Sequence, residues 1–529
     1  MIIDWLKSLR TPRSRRKASE ISLPTPLESR TLLSAIPVGP EFQVNSFTSN
    51  VQARPSIAMD ADGDYVVIWQ SGKFIGSGQD GSGYGIYAQR YNAEGQAQGS
   101  EFQINMWTTL SQEFSSIAMD ADGDFVITWQ SDKQDGSSNG IYARRYNALG
   151  VAQGNEFQVN SFTTGAQRYP SIGMDADGDF VITWQSVGQD GSGYGIYAQR
   201  YNAAGEPQGI EFQVNSLTNY WQTIPSIGMD SDGDFVITWQ SDRQDGSDNG
   251  IYAQRYNAAG VPQGTEFQVN SFTTGAQSQP SIGMDADGDF VITWQSKEQD
   301  GSNYGIYAQR YNAAGTPQGT EFQVNSFTNH WQTIPSIAMD PDGDFIITWQ
   351  SNALDGSDYE IYSQRYNALG MKQGTEFLVN SYSTGIQRRP SIAMVADGDF
   401  VIAWQSYDQD GSEYGVYAQR FRASHSDNLA VWRSSRFYLD SNRSDTWNGA
   451  TDDTLNTFGS TTDKPLAGDW NGDGYSDIGI WRNGTFYLDA NGNGTWDGPA
   501  TDKQFVFGNS TDTPIVGDWN NDGIDDIGI

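Results

Sequence analysis

The sequence predicts an all-β protein built around a seven-bladed β-propeller with four-stranded blades. The first observation is a segment, best seen at residues 285–296, that recurs seven times and always contains Trp-Gln-Ser or its equivalent. The second is its spacing, 60 residues once and 55 residues five times, which marks a tandem array. The third is that each unit holds four short runs of strand-forming residues between turn signals. The seven tryptophans are Trp69, Trp129, Trp184, Trp239, Trp294, Trp349 and Trp404.

One unit illustrates the four strands of a blade. Residues 281–285 and 290–295 flank an Asp-Gly turn and predict a hairpin. Residues 306–312 predict a third strand, and residues 321–325, where apolar and polar side chains alternate, predict an exposed fourth strand. Four short antiparallel strands per repeat are typical of a propeller blade, since kelch-type repeats run to about 50 residues.

The two ends of the array predict how the ring closes. The chain enters with a lone fourth strand at residues 41–45 and leaves after a third strand at residues 416–421. Pairing them completes the seventh blade in a 3+1 arrangement and removes two exposed sheet edges. We therefore expect a leader at residues 1–40, a propeller at 41–424 and a separate segment at 425–529.

Composition limits the range of partners. The 529 residues include 65 acidic and 31 basic side chains, and the net charge of −34 argues against nucleic acid and favours divalent cations. The chain has no cysteine, which excludes disulfides, thiolate metal sites and a cysteine nucleophile. No apolar run reaches the length of about 18 residues that a membrane span needs. We expect a monomer that does not span a membrane.

The leader is basic and carries a short recognisable motif. Residues 24–35 resemble the LEPR-XLL motif found near the start of large repeat-rich bacterial surface proteins, with Ser29 where that motif has proline. The resemblance implies export and an extracellular or cell-surface location. The alternative is a basic leader that matches the motif by chance.

Alternating strand directions predict two different faces for the ring. The Asp-Ala-Asp-Gly-Asp turns lie on one face, and the Asp-Gly-Ser loops lie with the fourth-to-first connections on the other, which we call the loop face. Varied loops on a rigid scaffold are where ligands usually bind, so a surface glycan or protein is the expected partner. The alternative is that these aromatic residues are copies of one packing solution. The candidate ligand residues are Trp107, Trp221, Trp331, Tyr194 and Tyr304.

The repeats offer little catalytic chemistry. The Asp60, Asp62 and Asp64 carboxylates and their equivalents have oxygen ligands that Ca²⁺ accepts, but turn formation is the preferred interpretation because Val395 replaces the first Asp in the last repeat. The chain has two histidines, neither in a repeated motif, so a Ser-His-Asp site has no support. A single active site should also break the symmetry of one or two blades. The sequence therefore predicts that the chain is not an enzyme.

After residue 425 the period changes to 49 residues, with Trp432 paired to Trp481. Three loops here place oxygen-bearing side chains at positions 1, 3, 5 and 9, with Gly at position 6 and a backbone carbonyl available at position 7. This pattern predicts Ca²⁺ loops, although Asx-rich turns without metal remain the alternative. The candidate ligands are Asp469, Asn471, Asp473, Tyr475 and Asp477; Asp489, Asn491, Asn493, Thr495 and Asp497; and Asp518, Asn520, Asp522, Ile524 and Asp526.

Strand-like flanks rather than helices surround these loops. The segment therefore resembles the FG-GAP or VCBS repeats of integrin-type propellers, and the resemblance implies Ca²⁺ bound between adjacent strands. The resemblance covers two repeats, which are too few to close a ring. The segment is therefore expected to be either part of a second propeller or an open addition to the first.

Together these features predict an exported, Ca²⁺-stabilised repeat protein that serves as an adhesion or ligand-binding scaffold. One alternative is a carbohydrate-active enzyme, a glycoside hydrolase or lyase, that uses the loop face. Another is a purely structural envelope component.

Overall fold

The fold is all-β, as predicted. The computed structural model describes residues 35–73, 78–352, 359–423, 430–433, 436–439, 454–468, 470–471, 477–510, 512–517 and 526–529. Within these ranges the regular structure consists of β-strands, and no helix is long and apolar enough to cross a membrane. Residues 1–34, and with them nearly all of the LEPR-XLL-like motif, lie outside the described residues.

Seven four-stranded antiparallel sheets occupy residues 35–423 and form the predicted blades. Their strands are β1 Ala35–Gln43, β2 Val51–Met59, β3 Tyr65–Gly72, β4 Tyr84–Tyr91, β5 Phe102–Gln103, β6 Gln112–Met119, β7 Phe125–Asp132, β8 Asn139–Tyr146, β9 Phe157–Gln158, β10 Gln167–Met174, β11 Phe180–Val187, β12 Tyr194–Tyr201, β13 Phe212–Gln213, β14 Gln222–Met229, β15 Phe235–Asp242, β16 Asn249–Tyr256, β17 Phe267–Gln268, β18 Gln277–Met284, β19 Phe290–Lys297, β20 Tyr304–Tyr311, β21 Phe322–Gln323, β22 Gln332–Met339, β23 Phe345–Ser351, β24 Glu360–Tyr366, β25 Lys372–Leu378, β26 Gln387–Met394, β27 Phe400–Tyr407 and β28 Tyr414–Ala423.

The second strand of each blade is buried on both faces, which explains its continuous apolar run. In β19, Phe290, Ile292 and Trp294 on one face and Val291 and Thr293 on the other are at most 2% exposed. The hairpin before it closes where the backbone N–H of Asp285 donates to the carbonyl of Asp289, and Gly288 supplies the positive φ of 84° that the turn needs. The repeated segment is therefore a structural hairpin.

The first strands of the blades line the centre of the ring. β2, β6, β10, β14, β18, β22 and β26 neighbour one another in this order, and β26 contacts β2. Buried side chains fill the spaces between blades: Trp129 and Ile127 of the second blade pack with Ile68 of the first. Truncating such a tryptophan to alanine typically costs about 3–5 kcal/mol.

The closure of the ring follows the prediction. β1 pairs with β28, with Phe42 opposite Ala418 and Gln43 opposite Tyr417. Beyond the strand, the N–H of Val44 donates to the carbonyl of Val416 at 2.8 Å. β1 begins at Ala35, and its first residues pair with the end of β28 up to Ala423.

The arginine repeated in the third strands joins neighbouring blades. Nη1 and Nη2 of Arg200 donate to the carbonyls of Ala259 and Ala258 in the next blade, at 2.8 and 2.6 Å. Arg420 makes the same contacts with Glu94 and Ala93 across the closure. Hydrogen bonds from a charged donor to a carbonyl are among the stronger ones, so these arginines help to hold neighbouring blades together.

The C-terminal segment contains shorter sheets with their own apolar clusters. Trp470, Trp481 and Phe486 are at most 3% exposed and pack together. The flanks of the predicted Ca²⁺ loops are strands, as expected. The strands are β29 Ala430–Arg433, β30 Arg436–Leu439, β31 Thr454–Thr457, β32 Lys464–Gly468, β33 Asp477–Arg482, β34 Thr485–Leu488, β35 Lys503–Val506, β36 Ile515–Gly517 and β37 Asp526–Gly528.

Deleting residues 1–44 should lower the melting temperature of the propeller by about 10 °C or more, because β28 loses its partner and exposes an edge. Deletion of residues 1–34 is the matched control, since it leaves β1 in place. Differential scanning calorimetry of both truncated chains checks the prediction. Equal melting of the two would show that the β1–β28 pairing does not hold the ring.

Candidate functional site

Each inner strand has the same irregularity near its middle. In β2 the pairing with β3 shifts between Ala53 and Ser56, and Arg54 between them has a φ of 55°. The corresponding residues of all seven inner strands have φ between 53° and 56° without being glycine, a conformation that costs about 1–2 kcal/mol each. They are Arg54, Phe114, Tyr169, Ile224, Gln279, Ile334 and Arg389.

A hydrogen bond from the neighbouring blade holds each of these residues. The N–H of Arg54 donates to Oε1 of Gln405 at 3.0 Å, and the N–H of Phe114 donates to Oε1 of Gln70 at 3.3 Å. The same bond recurs at the five other positions. Leaving such an N–H unpaired would cost about 1–3 kcal/mol, so the glutamine offsets the backbone strain.

Side chains from several blades meet at this level of the ring. The guanidinium carbon of Arg54 lies 3.8 Å from the ring centroid of Phe114. Phe114 meets Tyr169 of the next blade edge to face, with centroids 4.4 Å apart. Arg389 in turn lies near Arg54 and Tyr169. The mouth cluster, as we call this group, consists of Arg54, Glu113, Phe114, Tyr169, Arg388 and Arg389.

Burial shifts the pKa of three members of the mouth cluster, Arg54, Glu113 and Arg389. Burial raises the pKa of Glu113, while the charges of Arg54 and Arg168 oppose the shift. Burial and the neighbouring charge of Arg54 lower the pKa of Arg389 to about 10. A buried carboxyl with a raised pKa beside cationic groups is a common feature of functional sites.

The sequence carries a signal for this site that our sequence analysis missed. Between the invariant Gln of each inner strand and the following Pro-Ser-Ile or Ser-Ser-Ile lie two variable residues, with six different pairs among the seven repeats. The pairs are Ala53-Arg54, Glu113-Phe114, Arg168-Tyr169, Thr223-Ile224, Ser278-Gln279, Thr333-Ile334 and Arg388-Arg389. The seven repeats are otherwise closely similar, and at these two positions, at the centre of the ring, that similarity is lost.

The predicted aromatic residues lie exposed at the loop face. Trp107, Trp221 and Trp331 are 40%, 59% and 45% exposed. Tyr194 meets Trp221 edge to face with centroids 5.8 Å apart, and Tyr304 meets Trp331 at 6.2 Å. The inner strands begin at this same face, so the variable pairs lie nearer to the aromatic residues than to the opposite turns.

The repeated acidic residues accept backbone hydrogen bonds that stabilise turns. Oδ1 of Asp340 accepts the N–H groups of Asp342 and Asp344 at 3.1 and 2.9 Å. In the last repeat the turn persists with Val395, as the sequence indicated. On the loop face, Oδ1 of Asp300 accepts the N–H of Ser302 at 2.9 Å.

Of the three predicted Ca²⁺ loops, the one at 489–497 is fully described. Asp489 is 1% exposed; its Oδ2 accepts the N–H of Gly494 at 2.6 Å, while its buried Oδ1 has no hydrogen-bond partner. Oδ2 of Asp497 accepts the Nδ2 group of Asn491 at 3.1 Å. Thr495 donates to Asn493 within the same loop. An orphaned buried carboxylate oxygen fits a loop that takes up a hard cation.

The other two loops are described only in part. In the first, Nδ2 of Asn471 donates to Oδ2 of Asp477 at 3.2 Å. In the third, Asp526 begins β37. No group of three His, Cys, Asp or Glu residues that could hold a metal is found among the described residues. The predicted ligands outside the described residues are Asp469, Asp473, Tyr475, Asp518, Asn520, Asp522 and Ile524.

Comparison with known proteins yields no family. No protein-family model and no curated protein matches the chain. Similar solved structures include a protein of unknown function from Dyadobacter fermentans, with 10% identity over 74% of this chain and 100% of that one and a TM-score of 0.47. An α-L-arabinofuranosidase from Fusarium graminearum has 12% identity over 59% and 93%, with a TM-score of 0.41. Phage phi92 endosialidase has 9% identity over 74% and 70%, with a TM-score of 0.43.

These comparisons correct one prediction. Two of the similar structures are enzymes by name, which contradicts the expectation that a propeller like this one is not an enzyme, and we withdraw that expectation. It rested on the symmetry of the repeats, and that symmetry fails at the mouth cluster. At these identities and TM-scores the likeness gives no argument for a particular ligand or reaction.

Replacing Asp340 by Asn should stabilise the chain at pH 8 and have little effect at pH 4. Burial, with the charge of Asp344 next, raises the pKa of Asp340 to about 7. The protonated form is thus favoured in the folded chain, and the stability it provides is lost as the pH rises from about 4 through 7. Asparagine keeps the Oδ1 acceptor without a charge.

Thermal melting across this pH range checks the prediction. Asp397→Asn is the matched control, because its turn has Val395 in place of the first acid. A D340N chain with the unchanged pH profile would contradict the assigned pKa.

Proposed function

We propose that this chain is an exported glycan-binding protein that holds its ligand across the loop face, with one end of the ligand at the mouth cluster. The observation that carries the proposal is the mouth cluster itself: half-buried ionisable and aromatic side chains from several blades meet at positions where the repeats differ. The exposed tryptophans extend this site, because their indole rings offer flat apolar surfaces to sugar rings.

A second function, glycoside cleavage, is favoured by Glu113. A carboxyl group that stays protonated near neutral pH can donate a proton to a glycosidic oxygen, and burial shifts the pKa of Glu113 in that direction. Arg54 and Arg168 lie near enough to stabilise the carboxylate that proton donation leaves behind. In this function Glu113 is the candidate general acid.

The proposal also assigns Ca²⁺ binding to the C-terminal segment and export to the leader. The FG-GAP-like loops are proposed Ca²⁺ sites, with Asp489, Asn491, Asn493 and Asp497 as side-chain ligands in the described loop. Bound Ca²⁺ would supply a positive charge that neutralises these acids and fixes the loop. The LEPR-XLL-like leader supports export to the cell surface or beyond.

Replacing Trp221 or Trp331 by Ala should weaken glycan binding about 3- to 10-fold, the usual worth of one aromatic stacking contact. Binding to a glycan array, followed by calorimetric titration of any glycan retained, measures this. Leu149→Ala is the control, since Leu149 is 75% exposed but lies in a turn of the opposite face. If the array retains no glycan, a purely structural envelope role becomes the better explanation.

Glu113→Gln should abolish release of reducing ends from a polysaccharide panel while keeping glycan binding, because the amide cannot donate the proton. Asp300→Asn is the control, since that carboxylate serves a turn and the amide oxygen can still accept the N–H of Ser302. Turnover that survives in E113Q, or no turnover in the unmodified chain, would rule out Glu113 as a general acid.

Saturating Ca²⁺ should stabilise the chain, by about 2.7 kcal/mol for each site at a concentration 100 times its Kd. Calorimetry with Ca²⁺ and with a chelator measures the shift, which Asp489→Ala should reduce and Asp287→Asn, in an exposed propeller turn, should not. Identical melting with Ca²⁺ and with chelator would refute the metal sites.

A further inference from the structure

Two arginines of the mouth cluster come from neighbouring blades across the ring closure. Arg54 belongs to β2 of the first blade and Arg389 to β26 of the seventh, and both occupy the same position of the inner strand. Their N–H groups are anchored by Gln405 and Gln350 at 3.0 and 3.1 Å. The same backbone geometry therefore fixes both side chains at the centre of the ring.

The two guanidinium groups have like charges, and no described carboxylate pairs with either of them. In the described part of the chain neither side chain makes a hydrogen bond or a salt bridge to protein; Arg54 rests on the face of Phe114. Nε of the adjacent Arg388 is also buried without a partner. Glu113 exerts an attraction on Arg54 but forms no ion pair with it.

This arrangement is costly unless something else compensates it. Both side chains are half-buried, so their unpaired charges lose part of their hydration, and placing two like charges together adds repulsion. Among the residues that the structure describes, no acidic side chain forms a salt bridge with either arginine. Elsewhere in the ring, as at Arg200, the guanidinium donors are satisfied by carbonyls. In the described structure, the donors of Arg54 and Arg389 lack the carbonyl partners that Arg200 has.

The side chains at this site indicate which class of anion it would bind. A guanidinium fork matches a planar carboxylate with two parallel hydrogen bonds. The rings of Phe114 and Tyr169 stand beside the arginines and offer apolar surface to a sugar ring. When Glu113 is ionised, its charge repels a dianion such as phosphate more strongly than a singly charged carboxylate.

We infer that Arg54 and Arg389 bind the carboxylate of an acidic sugar, so that the ligand is a glycan containing uronic acid or a related carboxylated unit. This inference rests on the proposed glycan-binding function and narrows it to an acidic substrate class. Arg54 and Arg389 are the specificity-determining residues, and Phe114 and Tyr169 bind the ring that carries the carboxylate.

The test compares oligogalacturonate with neutral galacto-oligosaccharide of the same length by calorimetric titration into the full chain. The acidic probe should bind at least 10-fold more tightly. Arg54→Gln and Arg389→Gln should each remove that preference, whereas Arg436→Gln, at an exposed arginine of the C-terminal segment, should keep it. Without ligand, R389Q should melt at or above the temperature of the unmodified chain, because it relieves like-charge repulsion.

The remaining outcomes separate the two proposals. Equal binding of both probes, weakened by Trp221→Ala, would overturn the carboxylate site and leave glycan binding intact. Preference for a sulfated galacto-oligosaccharide over oligogalacturonate would overturn carboxylate as the bound group. Marked destabilisation of R389Q without ligand would assign these arginines a structural role. Binding of none of the probes would overturn the carboxylate inference, while retention of other glycans on the array would still support glycan binding.

Discussion

The structure depends on one hydrogen bond that is repeated around the ring. In every blade, the glutamine that follows the buried tryptophan reaches the next blade and accepts the N–H of a residue with left-handed backbone geometry. The bond is worth about 1 kcal/mol net, but its absence would leave both strain and an unpaired N–H. It links adjacent blades and sets the level at which the variable side chains meet.

Much of the fold could be predicted from the sequence because the signals are local. Phe290 to Trp294 have the composition of a buried strand, and Asp-Gly forms the turn before it whatever the neighbouring blade contains. The closure was also predictable, since counting strands left residues 41–45 without a partner except the last blade. These inferences need only periodicity and the cost of an exposed sheet edge.

The mouth cluster could not be predicted in the same way. Whether Arg54 faces the ring centre depends on its left-handed φ, and that depends on Gln405, which lies 351 positions away in the sequence. The sequence did mark the position of the mouth cluster, because the residues equivalent to Arg54 and Arg389 differ among repeats whose neighbouring residues recur. Comparing the copies for what differs, rather than for what recurs, would have located the candidate site.

The pairing of β1 with β28 also decides how the propeller responds to force. Ala35 lies opposite Ala423, so the chain leaves the closing blade in both directions from one end of the same strand pair. Tension between the leader and the C-terminal segment would load these hydrogen bonds one after another, as a zipper opens, instead of shearing all of them at once. The closing blade is therefore a mechanically weak point, and a pulled chain would open within its seventh blade, between β28 and β1.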